Sequence, residues 1–174
     1  MRGWLAYVMV VCMVLCPALT LAQTSGTDLQ VAARALSFLN HPPSGTLTVG
    51  IVYVPDNVRS VEEATLIRSL LVEGLRVGNL TLRPQLVRMS EVNEATVQLF
   101  FLTAGVGADA EILAEAAHKR HLLCVTTDIP QVLSGRCALG VRSQPKVEII
   151  VNRALAATSG IGFSTVFRVM ITEI

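Results

Sequence analysis

The stretch Thr46-Leu47-Thr48-Val49-Gly50-Ile51-Val52-Tyr53-Val54 is β-branched and apolar almost throughout its centre. A strand with one wet face alternates apolar and polar residues, so an unbroken run reads as a strand buried on both faces, as in parallel sheets covered by helices. Pro55-Asp56-Asn57 then turns the chain. Ser60 is the expected cap of a helix with Glu62 and Glu63 in its first turn, and Ile67, Leu70, Leu71 and Leu75 form its inner stripe. Gly74 and Gly78 end it.

Upstream of this unit, Leu29, Val31, Ala32, Ala35, Leu36 and Leu39 recur at helical spacing from Asp28, and Pro42-Pro43 stops the helix. Downstream, a second strand over 80–87 carries Pro84, which hints at a sheet edge. A third strand spans 97–102, and Gly105-Val106-Gly107 leads into a helix with Ile112, Leu113, Ala116 and Ala117. A fourth strand covers 122–127. The order β-α-β-loop-β-α-β predicts an α/β fold, a single three-layer domain with an open, largely parallel sheet flanked by helices. Past Asp128, short strands at 138–141 and 147–151 are joined by Arg142-Ser143-Gln144-Pro145, a hairpin-like pair. A short helix follows at 152–157, and the apolar segment 161–171 has no assignment.

The N-terminus has a different grammar. Met1-Arg2-Gly3-Trp4 precedes an apolar run over 5–15, and Thr20 and Ala22 take the small-residue places before a cleavage point. This is a signal peptide pattern over residues 1–22, cut near Ala22, with 23–174 as the domain and the periplasm as its compartment. A retained anchor is the alternative. Leu15 is too bulky for a lipid anchor on Cys16. Cys12 and Cys16 leave with the signal, so Cys124 and Cys137 remain as an even pair, expected to bridge after export, with two separate buried thiols as the alternative. A formal charge of +1 and 5% aromatic residues give no electrostatic footprint for nucleic acid.

Candidate chemistry is sparse. Gly105-Val106-Gly107-Ala108-Asp109-Ala110 sits where a strand hands over to a helix, the place where backbone N–H groups cradle phosphate. It lacks the lysine of a Walker loop, and an ordinary turn capped by Asp109 explains it as well. Glu111, Glu115 and His118 share one helix face with carboxylate-bridged metal spacing, but no second such helix completes a site. Cys124, near His118 and His121, lies among Leu122, Leu123 and Val125, which favours a buried or bridged sulfur over a nucleophile. Asn79-Leu80-Thr81 matches a glycosylation acceptor only in a eukaryotic route. These readings predict a non-enzymatic protein with no cofactor and no metal.

From the fourth strand onward the residue order resembles the YfiR-like (HmsC-like) family of bacterial periplasmic proteins. The matching pieces are Val125-Thr126-Thr127-Asp128, Ser134-Gly135-Arg136-Cys137-Ala138-Leu139, Lys146-Val147-Glu148-Ile149-Ile150-Val151-Asn152, and Gly160-Ile161-Gly162-Phe163-Ser164, with Asp128, Gly135, Asn152 and Gly160 as the motif positions. Arg136 replaces the second of two expected glycines, and the opening segment lacks the expected Trp-Pro. The resemblance implies a regulator that binds the periplasmic sensor domain of an inner-membrane diguanylate cyclase and lowers cyclic di-GMP synthesis. It also implies a redox-sensitive Cys124–Cys137 staple and leaves a homodimer open. The competing reading is a periplasmic small-ligand-binding domain related to the solute-binding proteins of transporters, drawn from the parallel sheet and the Gly105 to Ala110 turn. An unrecognised hydrolase is a distant third.

Overall fold

Side-chain alternation along one short strand sets the layers. In the computed structural model, which describes residues 24–174, Leu99 and Phe101 of β4 (Leu99–Leu102) enter one core and Phe100 and Leu102 enter the other. Successive residues of a strand point to opposite faces, so a strand apolar at every position must be covered on both. The expected signal segment lies outside the described residues.

The remaining elements follow this frame. The first core packs α1 (Gly26–Leu36) and α2 (Val58–Leu71) against β1 (Gly45–Tyr53), β3 (Leu80–Arg88), β4, β5 (Leu123–Thr126) and β6 (Leu139–Arg142). The second places α3 (Ala110–Arg120) and α4 (Ile129–Leu133) on the other face, over Phe100, Leu102, Cys124 and Cys137. The result is the expected three-layer α/β domain. Its single sheet has the order β2-β3-β1-β4-β5-β6-β7-β8, with β2 (Leu75–Val77), β7 (Glu148–Val151) and β8 (Thr172–Glu173) completing it.

Strands β3, β1, β4, β5 and β6 run parallel, whereas β2 pairs antiparallel with β3 and β7 pairs antiparallel with β6. Among the parallel strands β1 is flanked by the later β3 on one side and by β4, β5 and β6 on the other, so the winding reverses between β1 and β4. Loops leaving these two strands in opposite senses open a crevice beyond their carboxyl ends.

Several local expectations change. Asn57, not Ser60, caps α2, its Oδ1 accepting from the Ser60 backbone N–H at 3.0 Å. Ser60 lies one turn in, where its hydroxyl accepts from the Val54 backbone N–H. The helix ends at Leu71 because Gly74 turns with φ +84°, and Leu75 begins β2, a hairpin partner of β3, rather than a last helical stripe position. Leu70 points outward. Pro84 lies beyond the reach of β2, facing only Val49 of β1, so its missing N–H costs no ladder bond on the open side. Asp109 stands before α3 but makes no side-chain cap bond. The unassigned C-terminal segment forms α6 (Thr165–Arg168) and then β8, which pairs parallel with β7. Among the described residues no helix is long and apolar enough to cross a membrane.

Candidate functional site

Helix α2 carries two polar residues on the stripe that faces the sheet. Ser60, Glu63, Ala64, Ile67 and Leu71 recur at three- and four-residue steps and all are buried, so Glu63 is drawn against the strand ends by the apolar residues that follow it. Glu63 as a whole is 8% exposed. Oε2 accepts the backbone N–H of Ala104, just past β4, and Oε1 lies against the hydroxyls of Thr24 and Thr127. Those hydroxyls are 2.7 Å from each other. Beside them, Ser60 Oγ and Thr103 Oγ1 meet at 2.6 Å, and Asn57 Nδ2 donates to the Gly105 carbonyl at 2.9 Å. The crevice where the winding reverses is therefore a polar pocket closed over by its own side chains.

The segment before α1 crosses the same end of the sheet. Thr24 is 2% exposed, and Asp28 forms a capping box with Ser25 while its Oδ1 accepts the Ser143 backbone N–H at 2.6 Å, beyond β6. Burial opposes the charge of Asp28, but bonds from Ser25 and Ser143 outweigh it and hold the carboxyl below its usual range.

An open cleft of about 160 Å³ adjoins this pocket, lined by Arg59, Ala104, Thr127, Asp128, Ile129, Pro130 and Arg142. It offers two exposed guanidinium groups and a half-buried carboxylate over a floor whose Ala104 and Thr127 also hold Glu63. Arg142 pairs with Glu148 across the β6–β7 hairpin, whereas Arg59 makes no ion pair among the described residues. A larger hollow of about 340 Å³, bordered by His41, Gln98 and His121, lies at the opposite end, where β1, β4 and β5 begin. In open α/β sheets, ligands bind outside the carboxyl ends at the reversal point, which favours the smaller cleft.

The structure separates the motif residues picked from sequence. Asp128 lines the cleft, and its Oδ2 lies 3.4 Å from Gln131 Nε2. Gly135, with φ +74°, ends α4, near Asn152, which caps α5 (Arg153–Thr158) and donates to the Val132 carbonyl. Gly160, also at positive φ, faces His121. These three serve turns and caps away from the cleft. Cys124 and Cys137 form a disulfide with Cα atoms 5.1 Å apart, buried beneath α3 and α4. Glu115 pairs with Lys119 and Glu111 with Arg136, while His118 Nδ1 meets the Thr158 carbonyl. Among the described residues no cluster of three or more His, Cys, Asp or Glu side chains could hold a metal ion.

Sequence reasoning passed over Glu63, Thr24, Arg59 and Arg142 as site residues. The available signal was Glu63 itself, an acid four residues before Ile67 and eight before Leu71, on the stripe that had to be buried.

No protein-family model matches the chain, and no curated protein matches it. Its fold is similar to solved structures. An ABC domain in complex with L-Trp from Streptococcus pneumoniae superposes with a TM-score of 0.57 at 10% identity, over 84% of this chain and 60% of that one. A conserved domain protein from Vibrio cholerae O1 biovar El Tor gives 0.57 at 13%, over 85% and 59%. The ligand-free, open form of CD0873, a substrate-binding protein with adhesive properties from Clostridium difficile, gives 0.54 at 12%, over 88% and 61%. At these identities the likeness is one of fold, and the chain spans about three fifths of each structure it matches.

Proposed function

We propose that this chain is a non-enzymatic domain that binds a small organic solute outside the cytoplasm, in the cleft over the carboxyl ends of β4, β5 and β6. The observation that carries this reading is the cleft's position beside the winding reversal, with Arg59, Arg142 and Asp128 converging on it. Charged groups of both signs around a small hollow suit a polar metabolite held by a few directed contacts. The fold neighbours support the reading because two of them are described by what they bind or that they bind a substrate. The chain spans only part of those proteins.

A thermal-shift screen of amino acids, sugars, nucleosides and organic acids at millimolar concentration tests it. A ligand present at a hundred times its Kd stabilises by about 2.7 kcal/mol through linkage, and replacing Arg59 and Arg142 by Ala is expected to abolish the shift. A screen in which no compound moves the melting point would sink the reading.

The cyclase-repressor reading stays second, supported by the Cys124–Cys137 bridge between β5 and the approach to β6, where the family resemblance puts a staple. Cellular cyclic di-GMP that rises on deletion of the gene and falls on complementation would favour it. An unchanged level, with the protein shown to be made, would remove it.

A further inference from the structure

Glu63 is a buried carboxylate with no cation against it. The groups that meet it are the Ala104 N–H and two hydroxyls, Thr24 and Thr127, and it forms no ion pair among the described residues. A charge taken out of water without a counter-charge is costly, and three neutral donors only partly offset that. The Oε1 atom, Thr24 Oγ1 and Thr127 Oγ1 make a triangle of three oxygen–oxygen contacts.

Arg59 stands four residues before Glu63 on α2, the spacing at which opposite charges pair along a helix. The two are not paired. Glu63 turns inward onto Ala104 and Thr127, and Arg59 lines the outer side of the cleft those same residues floor. Neither makes an ion pair among the described residues, and the carboxylate lies directly behind the Ala104 and Thr127 floor of the cleft that Arg59 lines. A ligand bearing an ammonium and a carboxylate on adjacent carbons would complement both.

We propose that Glu63 recognises the ammonium group of a zwitterionic α-amino acid, whose carboxylate lies toward Arg59, and that the Thr24 hydroxyl occupies the ammonium's place when the site is empty. The inference rests on the solute-binding reading and adds to it the ligand class and the displaced group. An ammonium brings three donors and a positive charge to the Glu63 carboxylate and the Thr127 hydroxyl, in the place that Thr24 vacates. Thr24 precedes α1 and lies outside every helix and strand, so its hydroxyl can be withdrawn without breaking a ladder bond. Thr24 is thereby a competitor for the ligand, and its removal is expected to tighten binding.

Isothermal titration against the common L-amino acids, the matching deaminated acids and the matching decarboxylated amines tests this on the wild type, Glu63→Gln and Thr24→Ala. The proposal expects at least one amino acid to bind more than tenfold tighter than its deaminated acid. Glu63→Gln should erase that preference, and Thr24→Ala should tighten the amino acid by roughly fivefold, the worth of one competing hydrogen bond. If Glu63→Gln does not fold, Thr24→Ala and the ligand series still decide. Equal affinity for an amino acid and its deaminated acid, weakened or unchanged binding in Thr24→Ala, or no binding by any amino acid would each overturn the proposal. A sugar, nucleoside or amine-free acid that binds in the cleft while amino acids fail overturns it alone and leaves the solute-binding reading standing.

Discussion

Asn57 donates its side-chain amide to the carbonyl of Gly105 at 2.9 Å, tying the loop after β1 to the loop after β4 across the point where the winding reverses. The same side chain caps α2 through Oδ1, so one residue fixes both the helix that carries Glu63 and the loop that follows Ala104. Asn57→Ala is expected to cost about 1–2 kcal/mol, a lowering of the melting temperature by about 5 °C. Asn57→Asp keeps the cap acceptor and loses the donor, and should fall between the two. Chemical denaturation of the three proteins would check the order.

Asp28 gives the fold a pH dependence of definite sign. Its carboxyl is held below the usual range in the folded state, because the bonds from Ser25 and Ser143 outweigh the opposing effect of burial. The stability it contributes is present above the unfolded-state pKa of about 3.9 and is lost as pH falls through the folded value. Asp28→Asn is expected to cost about 1–2 kcal/mol at pH 7 and to narrow its gap from wild type as pH drops below about 4. Urea midpoints across pH 3–7 would measure this, and a constant gap would contradict it.

The buried bridge between Cys124 and Cys137 closes a separation of 13 residues that contains all of α4 and hence one wall of the cleft. Removing it as Cys124→Ala/Cys137→Ala should destabilise by about 2–4 kcal/mol. A reductant should lower the melting point of the wild type and leave the double variant unmoved.

Gly140 lets α4 lie directly on β6. A Cβ there would stand 2.8 Å from Val132 Cγ2 and 2.9 Å from Ile129 Cδ1, closer than carbon atoms approach. Gly140→Ala is expected to cost about 2 kcal/mol by pushing the helix outward. Combining it with Val132→Ala should cost less than the two changes summed, which a double-mutant cycle would detect.

The sheet was legible because its signal is local. The apolar runs that become β1, β4 and β5, and the glycines and prolines between them, carry their meaning within a few residues of each other. The site was not, because it is assembled from positions whose neighbours in sequence say nothing of it. Thr24 and Thr127 meet across 103 residues, and Glu63 meets Ala104 across 41. Of the four positions named by the family resemblance, Asp128 lines the cleft, while Gly135, Asn152 and Gly160 hold turns and caps. Leu75 was misread for a related reason. It continues the helical stripe in register, and only the positive φ of Gly74, a backbone choice invisible in the spacing of apolar residues, diverts it into β2.

Because β4 sends Leu99 and Phe101 into one core and Phe100 and Leu102 into the other, four consecutive residues form a party wall between two apolar compartments. A side chain cannot leave one compartment without pulling its neighbours out of the other. The two halves of the interior are therefore bound to melt together, in one cooperative transition. Ala104, two residues past that wall, holds Glu63 through its backbone N–H, so the cleft's floor begins where the strand shared by both compartments ends, while Thr24, outside every helix and strand, meets Glu63 from behind it.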